Sequence, residues 1–282
     1  MYLKSLHLTS AIREIEFIRD LTRTCYNGVY PYKIFPEKDL SEIHFEPITI
    51  FYGGNGSGKT TLLNILAELT QVTRHSAFSK SAFFKDYLRD CTLIANEIPP
   101  ASQILTSDDV SDFLLNIRYL NDGIDIRRNE LFEEYLDRKY HHHQLRSMAE
   151  YDDWKESYDA KNLSQSQFVK NRLMRTVDMQ SNGETAMRYY VERIDENALY
   201  LIDEPENSLS ATLQIELSDY IYKSARFFGC QFVISTHSPF FLSMPGAKIY
   251  NLDLFPVQTC KWTELKNVKA YYNFFKEHEA EF

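Results

Sequence analysis

No apolar run in this 282-residue chain approaches the length of about eighteen residues that a membrane span requires, although 44% of the residues are hydrophobic. A soluble globular protein with no membrane partner is therefore expected. The opening residues, MYLKSLHLTSAIREIEF, lack the unbroken apolar core of a secretory signal, so the expected location is the cytoplasm. Cysteines are few, and none forms a C-x-x-C pair. Cys25, Cys91, Cys230 and Cys260 are scattered, which argues against a zinc site and fits reduced packing thiols. A positive balance is also missing. The net charge of −9 opposes broad adhesion to DNA or anionic membrane, yet a local basic stripe remains compatible with it, so nucleic acid is neither indicated nor excluded. Internal repeats, low-complexity linkers and sustained heptads are absent as well. What remains is enough chain for one large α/β domain or two small ones.

The informative stretch is Ile48 to Leu69, ITIFYGGNGSGKTTLLNILAEL, which reads as strand, phosphate loop and helix. Gly53 to Thr60 fits G-x-x-x-x-G-K-[ST] at every fixed position. Gly53, Gly54, Gly56 and Gly58 are expected to free the backbone so that successive N–H groups turn inward around phosphate oxygens. The phosphate-contacting set is then Asn55, Gly56, Ser57, Gly58, Lys59, Thr60 and Thr61. Lys59 acts as a point charge on the β- and γ-phosphates, and the Thr60 hydroxyl is a ligand for Mg²⁺. Upstream, Tyr30, Tyr32 and Phe35 are either an adenine-stacking source or ordinary packing aromatics.

Before the loop, Tyr2 to Leu8 reads as a strand and Ala11 to Arg23 as a helix; Cys91 to Glu97 is a candidate strand after it. Ser107 is a candidate N-cap for a helix over Val110 to Leu120. From Asn121 to Met179 the chain becomes charge-rich and helical, predicting a lobe inserted at about residues 107–180. His141, His142 and His143 are consecutive and cannot converge on one metal, so a solvated turn is expected. From Ala198 the α/β pattern returns. ALYLID and QFVIST read as strands flanking a helix over Ala211 to Phe228 with Ser210 as its cap. Alternation of strands and helices implies a parallel sheet whose functional edge is the carboxyl ends of its strands. The last helix, Val268 to His278, is expected to pack Tyr271, Tyr272, Phe274 and Phe275 onto the body.

Three further motifs fall at such ends. Asp203 and Glu204 close LYLIDE: Asp203 is placed to hold Mg²⁺ opposite Thr60, and Glu204 to polarise the water attacking the γ-phosphate. His237, in VISTHSPF, is placed to contact that phosphate and sense its loss. Ser181-Asn-Gly-Glu184 precedes a helical segment and forms a capping box, and its Ser181 and Gly183 also offer an anion site at a helix N-terminus.

The ordered set GGNGSGKTT, SNGE, LYLIDEPENSLS and VISTHSPF resembles an ABC-type ATPase, specifically the stand-alone, SMC-like and recombination-ATPase branch. The resemblance spans about Ile48 to Phe240, and SNGE lacks the leading leucine and second glycine of the family signature. It implies a P-loop NTPase head of α/β class with a mostly parallel sheet and the helical lobe inserted in it. It also implies ATP and Mg²⁺ as ligands, ATP hydrolysis, and an ATP-dependent homodimer in which Ser181 and Gly183 reach the other head's nucleotide. Asn207 and Ser208 would belong to the loop crossing that interface. Gln103 or the Ser107–Asp108 pair would supply the glutamine loop. Heads of this kind work with a protein partner, often with DNA or in anti-phage systems. The readings set against this are a transporter's nucleotide-binding subunit and a P-loop small-molecule kinase.

Overall fold

The computed structural model describes residues 1–21, 26, 28–140, 151–174 and 181–282. In chain order the elements are β1 (Leu3–His7), α1 (Ala11–Asp20), β2 (Glu42–His44), β3 (Ile48–Tyr52), α2 (Lys59–Thr70), α3 (Phe84–Arg89), β4 (Thr92–Ala95), β5 (Gln103–Thr106) and α4 (Ser107–Tyr140). There follow α5 (Tyr151–Asn162), α6 (Gln165–Arg172), α7 (Asn182–Arg193), β6 (Leu199–Asp203), α8 (Ala211–Phe227), β7 (Gln231–Ser235), α9 (Pro239–Leu242), β8 (Lys248–Asn251), β9 (Gln258–Cys260) and α10 (Lys266–Glu277). The predicted His141–His143 turn and Cys25 lie outside the described residues.

The main sheet has the order β5-β6-β7-β3-β8-β9. It is parallel throughout except for β9, which pairs antiparallel with β8. All five residues of β3, β6 and β7 are buried, as expected of central parallel strands covered on both faces. A second, antiparallel sheet has the order β2-β1-β4. Register decides where the chemistry falls. Ser235 at the end of β7 lies between Phe51 of β3 and Asp203 of β6, so the loops leaving these three strands emerge side by side.

Helix α2 follows the loop after β3 and buries Leu62, Leu63, Ile65 and Leu66 completely, whereas Leu69 is only half-buried. Its N-cap, Gly58, is left-handed and offers no side-chain cap, which leaves the first amides of the helix free for another acceptor. Tyr32 and Phe35 lie in the same core and Tyr30 packs against it, so Tyr32 and Phe35 are packing residues rather than adenine platforms. Tyr30 instead donates its hydroxyl to Thr61 Oγ1 at 3.1 Å.

Two expectations need correction. The cap of α4 is Thr106, not Ser107. Asp109 Oδ2 accepts from the Thr106 N–H and hydroxyl, both at 2.8 Å, and Thr106 Oγ1 accepts from the Asp109 N–H at 3.2 Å. The helix therefore begins at Ser107, ahead of the expected Val110, and runs for 34 residues to Tyr140, well past the expected Leu120. On α10, Tyr271, Tyr272, Phe274 and Phe275 are exposed, and Val268 alone is buried. Two of these rings meet locally: Phe274 meets Phe275 edge-on, and Phe275 meets Phe282. Tyr271, Tyr272 and Phe275 line an open groove with Ala211, Gln214 and Phe240 rather than being packed shut against the body.

The chain divides into two compact units, Met1–Ser111 with Ser181–Phe282, and Asp112–Gln180. The second has its own small core of Leu131, Tyr135, Ala160, Phe168 and Val169.

Glu14 on α1 is buried. One carboxylate oxygen accepts from the Lys33 N–H at 2.6 Å and the other has no partner among the described residues. Burial raises its pKa above the ordinary 4.5, against the lowering effect of that backbone bond. Because the folded value is the higher one, this contribution to stability is fully present below about pH 4.5 and is lost as pH rises through the raised value. Glu14→Gln should therefore raise the melting temperature at neutral pH by roughly 2–3 °C and flatten that part of the stability–pH curve, measured by thermal denaturation across pH.

Candidate functional site

The phosphate loop owes its shape to two of its glycines. Gly56 has φ +78° and Gly58 φ +99°; a Cβ on Gly58 would also sit 3.0 Å from Ile34 and Phe35. The expectation that Gly53 and Gly54 serve the same purpose is not met, since neither has positive φ. At Gly53 the requirement is space, because a Cβ there would stand 2.6 Å from Ser57 Oγ. Asn55 and Gly56 are exposed, while Ser57 and Lys59 are buried.

Lys59 Nζ donates to the carbonyls of Gly53 at 2.7 Å and Gly54 at 3.2 Å, and lies 3.5 Å from Glu204 Oε1. Thr60 Oγ1 donates to Asp203 at 2.9 and 3.1 Å. The Ser235 hydroxyl donates to the same carboxylate from the neighbouring strand. Burial pushes the Asp203 pKa up, and these two hydroxyl bonds oppose the rise. Glu204 adopts φ +48°, a left-handed conformation that costs a non-glycine residue about 1–2 kcal/mol. Its N–H donates to Ser235 O at 3.0 Å, and its carboxylate accepts from Asn207 Nδ2 at 3.1 Å. Lys59, Thr60, Asp203, Glu204 and Asn207 thus form one connected group at the carboxyl ends of β3 and β6.

His237 follows β7 and shares a groove with Gly53, Gly54 and Asn55. Ser181 and Gly183 are not part of this group. Ser181 makes the predicted capping box: its Oγ accepts from the Glu184 N–H at 3.3 Å, and Glu184 Oε2 accepts from the Ser181 N–H at 2.9 Å. Donation to that carboxylate from the Ser181 N–H, and from the Ser181 hydroxyl at 2.8 Å, holds the Glu184 pKa below the usual carboxylate range. Gly183 abuts Leu213, and its Cβ position lies 3.7 Å from Ser208 O. Among the described residues, no hydrogen bond of Ser181 or Gly183 reaches the phosphate loop.

Gln103 sits at the start of β5 and donates to Arg193 O at 2.7 Å. Ser107 and Asp108, at the opposite end of that strand, line a cavity of about 650 Å³ together with Thr60, Asp203, Arg74 and Lys80. Of the two glutamine-loop candidates, this pair is the one beside the site.

Three contributors escape motif reading. Asp253, after β8, accepts from the Gly54 N–H at 2.9 and 3.1 Å. Its only sequence signal is an acid just past an apolar strand. Ser235 is hidden within a strand run. Glu206 accepts from the His237 N–H at 2.8 Å, and nothing in its spacing announces that contact.

Thr60 and Asp203 offer a hydroxyl and a carboxylate within hydrogen-bond distance of each other. Hard oxygen donors of this kind suit Mg²⁺, which keeps several waters and takes further oxygens from substrate phosphates. Among the described residues no group of three or more His, Cys, Asp or Glu side chains could hold a metal by itself. No helix of the described residues is long and apolar enough to cross a membrane.

The sequence model of a family described as ABC transporter matches residues 41–207, and that of a family described as AAA ATPase domain matches residues 185–242. One similar solved structure is a dimeric ATP-binding cassette in a post-hydrolysis state bound to ADP and Pi. It is 13% identical over 78% of this chain and 88% of that one, with a TM-score of 0.38. Another is an Smc head domain with an extended coiled coil, derived from Pyrococcus furiosus and bound to the C-terminal domain of ScpA. It is 14% identical over 99% of both chains, with a TM-score of 0.42. No curated protein matches the sequence.

Proposed function

The chain belongs to the ABC transporter family, whose model covers more than half of its residues, and from that premise we propose that it is a stand-alone ATPase head. Its ATP-driven association with a second copy is coupled to a separate protein partner. The observation that carries the reading is the convergence of a buried Lys59, the Thr60 hydroxyl and the Asp203–Glu204 pair at one sheet edge.

Phosphates of ATP enter the loop from Asn55 to Thr61 and compete with the Gly53 and Gly54 carbonyls for Lys59. Thr60 and Asp203 would hold Mg²⁺, which supplies charge stabilisation on the terminal phosphoryl oxygens when bound. Glu204, kept in place by Asn207, takes a proton from the attacking water. His237 meets the terminal phosphate from the loop beyond β7. Ser181 is exposed at the start of α7, with the half-buried Gly183 beside it, where a phosphate carried by another head can be met by the helix N-terminus. Asn207 lies beside Ser208, which neighbours Gly183, so the proposed interface loop touches both Glu204 and the signature helix.

One feature favours a second reading, phosphoryl transfer to a small acceptor: the 650 Å³ cavity beside Thr60 and Asp203 carries Arg74 and Lys80 on its wall. A single experiment separates the two. With ATP labelled at the γ-phosphate, the first reading expects label in inorganic phosphate, and label in any other product overturns it. Ser181→Arg should retain ATP binding, because Ser181 does not touch its own loop. It should lose the ATP-dependent doubling of mass in light scattering and lower hydrolysis on the order of tenfold or more. Full turnover by the Ser181→Arg monomer would rule out the trans role.

A further inference from the structure

Glu206 is a buried carboxylate, with its side chain 7% exposed, in the turn that follows the acidic pair. A charge in that position needs partners. Its Oε1 accepts from the Thr236 hydroxyl and from the His237 N–H, both at 2.8 Å, and the His237 Nδ1 lies 3.2 Å from the same oxygen. Its Oε2 is buried and has no partner among the described residues. The arrangement continues beyond the carboxylate. Thr236 Oγ1 accepts from the Ser238 N–H at 3.0 Å, the Ser238 hydroxyl donates to Gln214 Oε1 at 2.7 Å, and Gln214 Nε2 donates to Leu209 O at 2.8 Å. The segment 206–209 and the loop 236–238 are therefore tied at two points, through Glu206 at one end and Gln214 at the other. Thr236 and Ser238 are both buried, so water does not substitute for these bonds.

We propose that Glu206 is a positioning residue: its carboxylate anchors the loop carrying His237 and sets where the imidazole meets the terminal phosphate of ATP. This rests on the reading of His237 given above. The Thr236 N–H still reaches the Phe51 carbonyl at 3.2 Å and Asn267 Nδ2 donates to the His237 carbonyl at 2.7 Å, so beyond Thr236 the backbone of this loop is held by side chains rather than by a strand ladder. A buried acceptor for the N–H of the histidine itself fixes that residue more directly than any contact to its half-exposed ring. Because Asn207, the next residue, holds Glu204, one short turn sets the geometry of both groups that act on the γ-phosphate.

The test compares Glu206→Ala with Glu206→Gln. The amide keeps an oxygen acceptor for the Thr236 hydroxyl and the His237 N–H, whereas alanine removes it. Hydrogen exchange by NMR should find the His237 amide protected in the native protein. Exchange should accelerate by on the order of a hundredfold in Glu206→Ala and stay within about threefold of native in Glu206→Gln. In steady-state assays Glu206→Ala should lose on the order of 10- to 100-fold in kcat, the scale expected when a reacting group is misplaced by about an ångström. Its KM for ATP should move less than about threefold, and Glu206→Gln should recover most of the loss. An unprotected His237 amide in the native protein overturns the proposal whether or not the alanine variant folds. So does a glutamine variant as impaired as the alanine one. The exchange measurement needs neither nucleotide nor turnover, so a native protein that hydrolyses no ATP would sink the ATPase reading while the anchoring is still decided.

Discussion

Glu204→Gln should bind ATP with Mg²⁺ at close to native affinity, hydrolyse it at least about a hundredfold more slowly, and double in mass under ATP in light scattering. Glutamine preserves the shape that Asn207 Nδ2 bonds to at 3.1 Å. It removes the charge 3.5 Å from Lys59 and the base that would take a proton from water. Binding depends on Lys59 and the loop, so it survives. In the proposed reading turnover depends on the carboxylate, so the ATP-loaded assembly should accumulate. A mass that stays unchanged while ATP is demonstrably bound would count against association of two heads as the working step. Native turnover by the variant would remove Glu204 from the chemistry altogether.

The second large effect is expected at Lys59. Its ammonium is buried and bonded to two carbonyls of the loop it follows. Lys59→Ala removes the charge that phosphates need and leaves those carbonyls without their donor. Calorimetric titration should show ATP affinity reduced at least about tenfold, and hydrolysis should fall on the order of 10²–10³-fold, as when a preorganised charge on the reacting group is deleted. The loss of stability should be modest, about 1–2 kcal/mol, the usual cost of leaving such groups unsatisfied. Retention of ATP affinity in a folded Lys59→Ala protein would overturn the assignment of the loop. Arginine is not expected to rescue it, because a planar fork does not fit a site shaped for a compact ammonium.

The parts of this site legible in the sequence are those whose constraint is local. The loop from Gly53 to Thr60 is read from one stretch of chain, because its glycines, lysine and threonine must occur at fixed offsets. The Ser181–Glu184 capping box is four residues long, and the strand that ends at Asp203 announces itself as an apolar run, all five of its positions buried. Contributors brought in by strand order were not legible. Asp253 reaches Gly54 across about two hundred residues of chain, and Ser235 reaches Asp203 because β7 lies between β3 and β6. No local pattern records which strands are neighbours. The α4 cap was misplaced by one residue because Thr106 and Ser107 are both good cap residues; the choice falls to Asp109, whose carboxylate reaches Thr106. The rings of α10 were expected to dock because aromatics usually do. Helical spacing alone does not reveal that Phe274, Phe275 and Phe282 meet one another instead.

The turn from Pro205 to Ser208 is a 3₁₀ segment, three residues to the turn. Its side chains point in directions about 120° apart, so Glu206 can face the loop beyond β7 while Asn207 faces Glu204. A single inserted residue ahead of Glu206 would rotate every later side chain by one such step, turning Glu206 and Asn207 away from their partners at the same moment. Replacement of one side chain disturbs one partnership; a change of spacing disturbs both. For this stretch the length of the chain itself sets the geometry of the site, in the way that the pitch of a thread, rather than the metal it is cut from, decides whether two parts engage.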